Sequence, residues 1–356
     1  MASRQPPLLR SIASADAIVL LGAGGVGKTS SAAAIGIAAA RQGRRVVVLT
    51  VDPAKRLIET LGLASAYASE VVAVEILEPQ SLESVGSLHA TMLDPGHTLS
   101  ALVDEFAPTH QRATAIHRNR LFQTLVQSLS GLNEYMAAER FRQLLQDPRF
   151  DLVIVDTPPA QNGVDVLDAP ARLTRLVDHR IYRTLLAPRS GILRTLNAAT
   201  QLAARAIGKV VGASLLSDAI EFFALFEGMD KGFRDRADLV DQLLRSPSTH
   251  FAVVSTARPG PLDTAAWLSD QLRDREIKPA ALVVNRRLTE VPAPAVDAHE
   301  ALHRAVMDHN LIARSENEMI ASSPLTKVFT AVQVPETDHD DPLAALAQMA
   351  EAFTTE

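Results

Sequence analysis

Apolar residues along this chain fall in short continuous runs rather than in alternation. The clearest are Ala17–Gly22 (AIVLLG), Arg45–Asp52 (RVVVLTVD), Phe150–Pro159 (FDLVIVDTPP), His250–Ala257 (HFAVVSTA), Ala280–Arg286 (AALVVNR) and Val328–Pro335 (VFTAVQVP). Runs of this kind suit parallel strands covered on both faces. Between the first two, Thr29–Gln42 is Ala-rich, lacks Pro and stops before Gly43, which predicts a helix. Pro261–Arg275 predicts a second helix between two later strands. The alternation predicts an α/β fold with a doubly wound, mostly parallel sheet. Two stretches, from about His97 to Asp147 and from about Asp165 to Pro247, read as helical and show no convincing strand. The expected organisation is a single discontinuous domain over 1–356. Its core covers about 15–95, 148–165 and 248–350, and its helical subdomain about 97–147 and 166–247.

Composition narrows the chemistry. The net charge of −6 argues against broad nucleic-acid or anionic-membrane binding. The absence of Cys removes disulfides, thiolate nucleophiles and Cys-built zinc sites. No uncharged apolar run reaches the ~18–20 residues of a membrane span. The start, MASRQPPLLRS, lacks the apolar core of a secretory signal, so the expected location is the cytoplasm.

Gly22-Ala23-Gly24-Gly25-Val26-Gly27-Lys28-Thr29 satisfies the phosphate-loop pattern GxxxxGK[ST]. The same residues satisfy GxGxxG, with Asp52 about where a ribose-binding acid would end the next strand. Lys28 and Thr29 favour a nucleoside triphosphate over a dinucleotide. The lysine would reach the β/γ-phosphates and the Thr29 hydroxyl would ligate Mg²⁺. Successive backbone N–H groups, through Ser30, would face the phosphates at a helix N-terminus. Asp156, delivered to a strand end by LVIV, is placed to hold Mg²⁺, most simply through water.

The segments GAGGVGKTS, TVDPAKRL, DLVIVDTPPAQNGVD and VVNR, in that order, resemble the ArsA/Get3 ATPases. These are phosphate-loop NTPases of the ParA/MinD-like group, with a deviant Walker A motif. The resemblance implies an ATP-driven dimer, Mg²⁺ as cofactor and a helical subdomain that binds a protein client. It assigns Asp52 as the residue that orients or deprotonates the attacking water, Asp156–Val164 as the segment that senses the γ-phosphate, and Asn285 as the reader of the adenine edge. Three departures stand out. Ala23 occupies the position of the family's signature lysine, which reaches the partner's phosphates. A homodimer therefore lacks that cation, and either a paralogous subunit or an arginine such as Arg56 would have to supply it. The CxxC zinc site shared by Get3 dimers is missing, so no zinc is expected. The arsenite-binding cysteines of ArsA are missing too.

Other features carry less. Ile192–Gly212 is amphipathic at helical spacing, and Phe222, Phe223, Phe226 and Phe233 cluster in sequence. They suit either a client groove or the core of the helical subdomain, and the core is the simpler reading. His299-Glu300-Ala301-Leu302-His303 matches HExxH with His309 beyond it, but Val306 lets the helix continue, which separates the third histidine from the first two. HRNR (His117–Arg120) and Arg286-Arg287 read as solvated. Glu336–Pro342 reads as an exposed polar loop, at the family's position near adenine. The leading expectation is an Mg-dependent ATPase acting as a dimer switch. The alternatives are a non-hydrolysing ATP-gated interaction subunit and a ParA/MinD-type positioning ATPase.

Overall fold

The computed structural model describes residues 14–51, 57, 61, 70–74, 86–127, 133–178, 221–222, 224–296, 299–329 and 331–354. In chain order its strands are β1 (Ala17–Gly22), β2 (Arg45–Thr50), β3 (Val72–Val74), β4 (Ser87–Met92), β5 (Leu152–Asp156), β6 (Thr249–Thr256), β7 (Ala281–Arg287) and β8 (Ala331–Pro335). They form an eight-stranded sheet in the order β3-β4-β2-β5-β1-β6-β7-β8. Every pairing is parallel except β3 with β4. The helices among the described residues are α1 (Lys28–Arg41), α2 (Pro95–Phe106), α3 (His110–Arg118), α4 (Arg120–Gln127), α5 (Asn133–Leu145), α6 (Ala160–Asp178), α7 (Asp230–Leu244), α8 (Pro259–Asp274), α9 (Glu300–Ser322) and α10 (Pro342–Glu351). The expected α/β, mostly parallel architecture is the observed one.

The apolar runs became strands because both faces of the sheet are covered. All of β1 and all of β5 are buried. The hydrophobic pattern missed β4. Its sequence, SLHATM, alternates, and Leu88 and Ala90 are more deeply buried than Ser87 and His89. Helix α1 lies against β2 and β5 on one side and α10 on the other. It is therefore buried nearly all round, which fits its run of Ala with Ile35 and Ile37. Close approach explains the small residues: a Cβ on Gly36 would lie 2.9 Å from Leu88 Cδ1 and 3.1 Å from Val48 Cγ2. With few aromatics in the chain, this core is built by dense packing of small side chains.

The chain divides into two compact units. One comprises Met1–Leu93, Phe141–Asp165 and Leu244–Glu356 and contains the sheet. The other comprises Asp94–Arg140 and Val166–Leu243. Its described elements are helical. Within it, Phe222 and Phe226 pack with ring centroids 4.4 Å apart, Phe226 and Phe233 at 6.0 Å, and Phe106 and Phe233 edge-to-face at 5.1 Å. Phe222, Phe226, Phe233 and Met229 are buried and Phe106 is half-buried, so they form core, the simpler of the two expectations. Phe223 and Ile192–Gly212 lie outside the described residues. Arg236 Nη1 donates to the fully buried Glu139 at 2.8 Å, and Arg236 lies over the Phe106 ring. HRNR is solvated in part: Arg118 and Arg120 are exposed, as expected, whereas His117 is half-buried and Asn119 buried. His117 Nε2 pairs with Asp104 Oδ1 at 2.8 Å, and the buried Asn119 accepts from Leu121 N at 3.0 Å to start α4.

Candidate functional site

Four strand ends meet on the C-terminal edge of the sheet, where parallel α/β sheets place ligand sites. Gly22 ends β1, Thr50 ends β2, Asp156 ends β5, and Asn285 lies near the end of β7. The register pairs both Leu20 of β1 and Thr50 of β2 with Asp156.

The loop after β1 turns directly into α1. Gly27 is the N-cap residue, at φ 90° and ψ 32°. This left-handed conformation favours glycine. A Cβ there would also lie 2.0 Å from Asn285 Nδ2. The position thus excludes a side chain twice, by backbone conformation and by contact. Gly25 is left-handed as well, at φ 79°. The first turn of α1 holds no acidic residue, so its amide dipoles are not countered locally. In a glycine turn of this kind at a helix N-terminus, successive backbone N–H groups can face a bound anion.

Lys28 is buried, and its Nζ donates to the carbonyls of Gly22 at 3.1 Å and Ala23 at 2.9 Å. The ammonium therefore spans the loop that precedes it. Thr29 Oγ1 donates to Asp156 Oδ2 at 2.7 Å, and Thr50 Oγ1 donates to the same oxygen at 3.1 Å. Asp156 and Thr50 are each only 1% exposed. One carboxylate and neighbouring hydroxyls form a hard-oxygen set, which suits Mg²⁺ with most of its shell left to water and phosphate. Among the described residues no group of three or more His, Asp or Glu is placed to hold a metal ion. Thr50 was not anticipated from the sequence. Its only signal was a hydroxyl closing an otherwise apolar strand.

Asn285, 3% exposed, donates from Nδ2 to Val26 O at 3.0 Å. Its amide thus ties β7 to the glycine loop, and Asn285 borders a cavity of about 260 Å³. Ser30, Glu336, Thr337, Pro342 and Met349 line the same cavity. The loop read as merely exposed therefore walls a pocket beside Asn285. A larger cavity, about 800 Å³, is lined by Arg245, Thr249 and His250 at the opposite end of β6, away from the loop. Ala23 packs partly buried against the core. Asp52 and Arg56 lie outside the described residues.

The HExxH residues take no common role. His299 is the N-cap of α9, its Nδ1 accepting from Ala301 N at 3.2 Å. Helix α9 runs unbroken through Val306, and His309 Nε2 bonds to Thr289 O at 2.9 Å. Arg287 corrects the reading of two solvated arginines. It is 3% exposed, pairs with Glu316, and donates from Nη2 to Asn317 Oδ1 at 2.5 Å. Inward-facing positions on a covered strand must pair such a charge rather than expose it.

A family profile described as anion-transporting ATPase matches residues 15–327. An uncharacterised protein of Streptomyces coelicolor is 27% identical over 277 residues, covering 77% of this chain and 63% of its own length. The protein named ATPase GET3 of Malassezia globosa is 25% identical over 48% of each chain. The arsenical pump-driving ATPase of Acidiphilium multivorum is 25% identical over 85% of this chain and 43% of its own. The match thus spans less than two thirds of the length of each of these relatives. With the profile extending over most of the chain and over every strand end of the loop site, this protein belongs to the anion-transporting ATPase family, the ArsA/Get3 ATPases.

Proposed function

We propose that this chain binds Mg-ATP at Gly22–Ser30 and hydrolyses it, as a nucleotide-driven dimer switch acting on a protein client. The observation that carries this reading is the convergence of the Gly27-capped N-terminus of α1 with Thr29, Thr50 and Asp156. The backbone N–H groups of the loop and Lys28 bind the phosphates and balance their charge. Thr29 and Asp156 hold the metal site, and the buried Thr50 hydroxyl fixes the carboxylate between strands. Bound Mg²⁺ supplies charge neutralisation at the transferring phosphoryl group. Asp52 serves as general base toward water. Asn285 orients the adenine edge, for which an amide offers both donor and acceptor. The sheet-bearing unit is the nucleotide core, and the helical unit is the client subdomain.

Ala23 supports a second reading, in which the chain gates an interaction through ATP but hydrolyses only beside a paralogous subunit. The dimer is then a heterodimer. The ParA/MinD-type alternative is weaker. Leu346, Met349 and Ala350 of α10 are buried, so its apolar face is spent in the core. Among the described residues no helix is long and apolar enough to cross a membrane. With no cysteine, thiolate capture of arsenite is unavailable to this chain.

Steady-state ATP hydrolysis with Mg²⁺ tests both readings. Turnover by the parent that disappears in Lys28→Ala and Asp156→Asn supports the complete enzyme. ATP binding without turnover supports the paralogue-dependent reading. An absence of ATP binding by the parent refutes both.

A further inference from the structure

The residue after Asn285 is held in an unusual way. Strand β7 carries a register irregularity against β8 between Val284 and Arg287. Within it, Arg286 adopts φ 55°. Left-handed backbone is disfavoured for a residue with a Cβ and persists where surrounding structure imposes it, often at functional sites. Here the imposition is visible. Asn285 is tied to Val26 O, Arg287 is tied to Glu316 and Asn317, and Glu336 N bonds to Arg287 O at 2.9 Å. The irregularity turns Arg286 outward while its neighbours on both sides stay buried. Its guanidinium has no hydrogen bond or ion pair with any described residue. It lines the 260 Å³ cavity beside Asn285.

That cavity has the character of a slot for a flat heteroaromatic ring. Pro335, Leu346 and Met349 supply apolar wall, Asn285 supplies the amide, and Arg286 supplies the cation. A guanidinium is planar and weakly hydrated, so it stacks on aromatic faces better than an ammonium does. Ser30, three residues beyond Gly27, lines the same space, so the slot continues from the phosphate loop.

We propose that Arg286, presented by the irregularity in β7, stacks on the nucleobase of the bound nucleotide and thereby sets affinity for the base rather than for the phosphates. The inference rests on the reading that a nucleotide triphosphate occupies Gly22–Ser30. The left-handed backbone is then the device that directs this cation into the slot.

The experiment uses the full chain and two substitutions, Arg286→Asn and Arg286→Lys. Asn tolerates left-handed backbone, so the first removes the guanidinium without adding strain. Lys keeps the charge and loses the plane. Calorimetry gives Kd for Mg-ATP and for inorganic tripolyphosphate, and thermal unfolding without ligand monitors the fold. The expected result is about a tenfold weaker Kd for ATP in Arg286→Asn and a smaller loss in Arg286→Lys. Tripolyphosphate affinity and Tm should stay at the parent values. Equal losses for ATP and tripolyphosphate would overturn the proposal, because the arginine would then act on phosphate. An unchanged ATP Kd would overturn it as well. Failure of the underlying reading looks different: the parent would bind neither ligand, or Lys28→Ala would bind both as the parent does.

Discussion

Replacing Gly27 by Ala is the sharpest probe of how the loop is built. Two costs add at this position. An L-residue in left-handed backbone costs about 1–2 kcal/mol. The new Cβ would also lie 2.0 Å from Asn285 Nδ2, so the amide must move. Asn285 is 3% exposed, and moving it breaks the 3.0 Å bond to Val26 O. Leaving that carbonyl unsatisfied costs about 1–3 kcal/mol. The expected loss is therefore about 2–5 kcal/mol, read by urea denaturation without nucleotide. A double-mutant cycle separates the two costs. In an Asn285→Ala background the contact is gone, and Gly27→Ala should cost only the backbone term of about 1–2 kcal/mol. A loss below about 0.5 kcal/mol, within the scatter of ordinary surface substitutions, would refute this account. So would the same loss in both backgrounds.

Other outcomes follow from the same structure. Glu276 closes α8 in left-handed conformation at φ 61°, with its N–H bonded to Arg273 O at 2.9 Å. Glu276→Gly should raise stability by about 0.5–1 kcal/mol, seen as an increase in Tm. Arg287→Ala leaves Glu316 unpaired and only 14% exposed, and should cost about 3 kcal/mol in denaturant unfolding. The pair Arg287→Met with Glu316→Leu should recover much of that loss. Burial holds the imidazoles of His89 and His250 below their ordinary pKa of 6.5. On acidification the unfolded chain takes up protons first, so stability present above about pH 6.5 is lost as pH falls below it. Tm should decline from about pH 7 to 5, and His89→Gln with His250→Gln should flatten the decline.

What could be read without coordinates was local. The span of β1 matched its apolar run residue for residue, and α1 began one residue before its expected start. Neighbours in sequence record these preferences: apolar continuity for a covered strand, Ala for a buried helix, Gly where φ is positive. The phosphate-loop pattern was legible for the same reason, since its loop shape and its chemistry lie within a few consecutive residues. Strand β4 escaped because it shows no continuous apolar run, and β3 because its run, VVAV, is only four residues long; pairing at the edge of the sheet stabilises them.

Tertiary structure decided the rest. Thr29 and Asp156 are 127 residues apart, and Thr50 and Asp156 are 106 apart, yet their hydrogen bonds form because β2, β5 and β1 are adjacent and in register. Asn285 meets Val26 across 259 residues. Arg286 and Arg287 look alike in sequence, but the irregularity in β7 sends one outward and buries the other. Likewise HExxH spacing says nothing of whether His299 caps a helix or faces a metal. By itself, then, the sequence determined the α/β class and the phosphate loop, because both follow from short-range backbone preference and burial. Strand order and register decided which side chains meet at the sheet edge, because those contacts join segments that no local preference links.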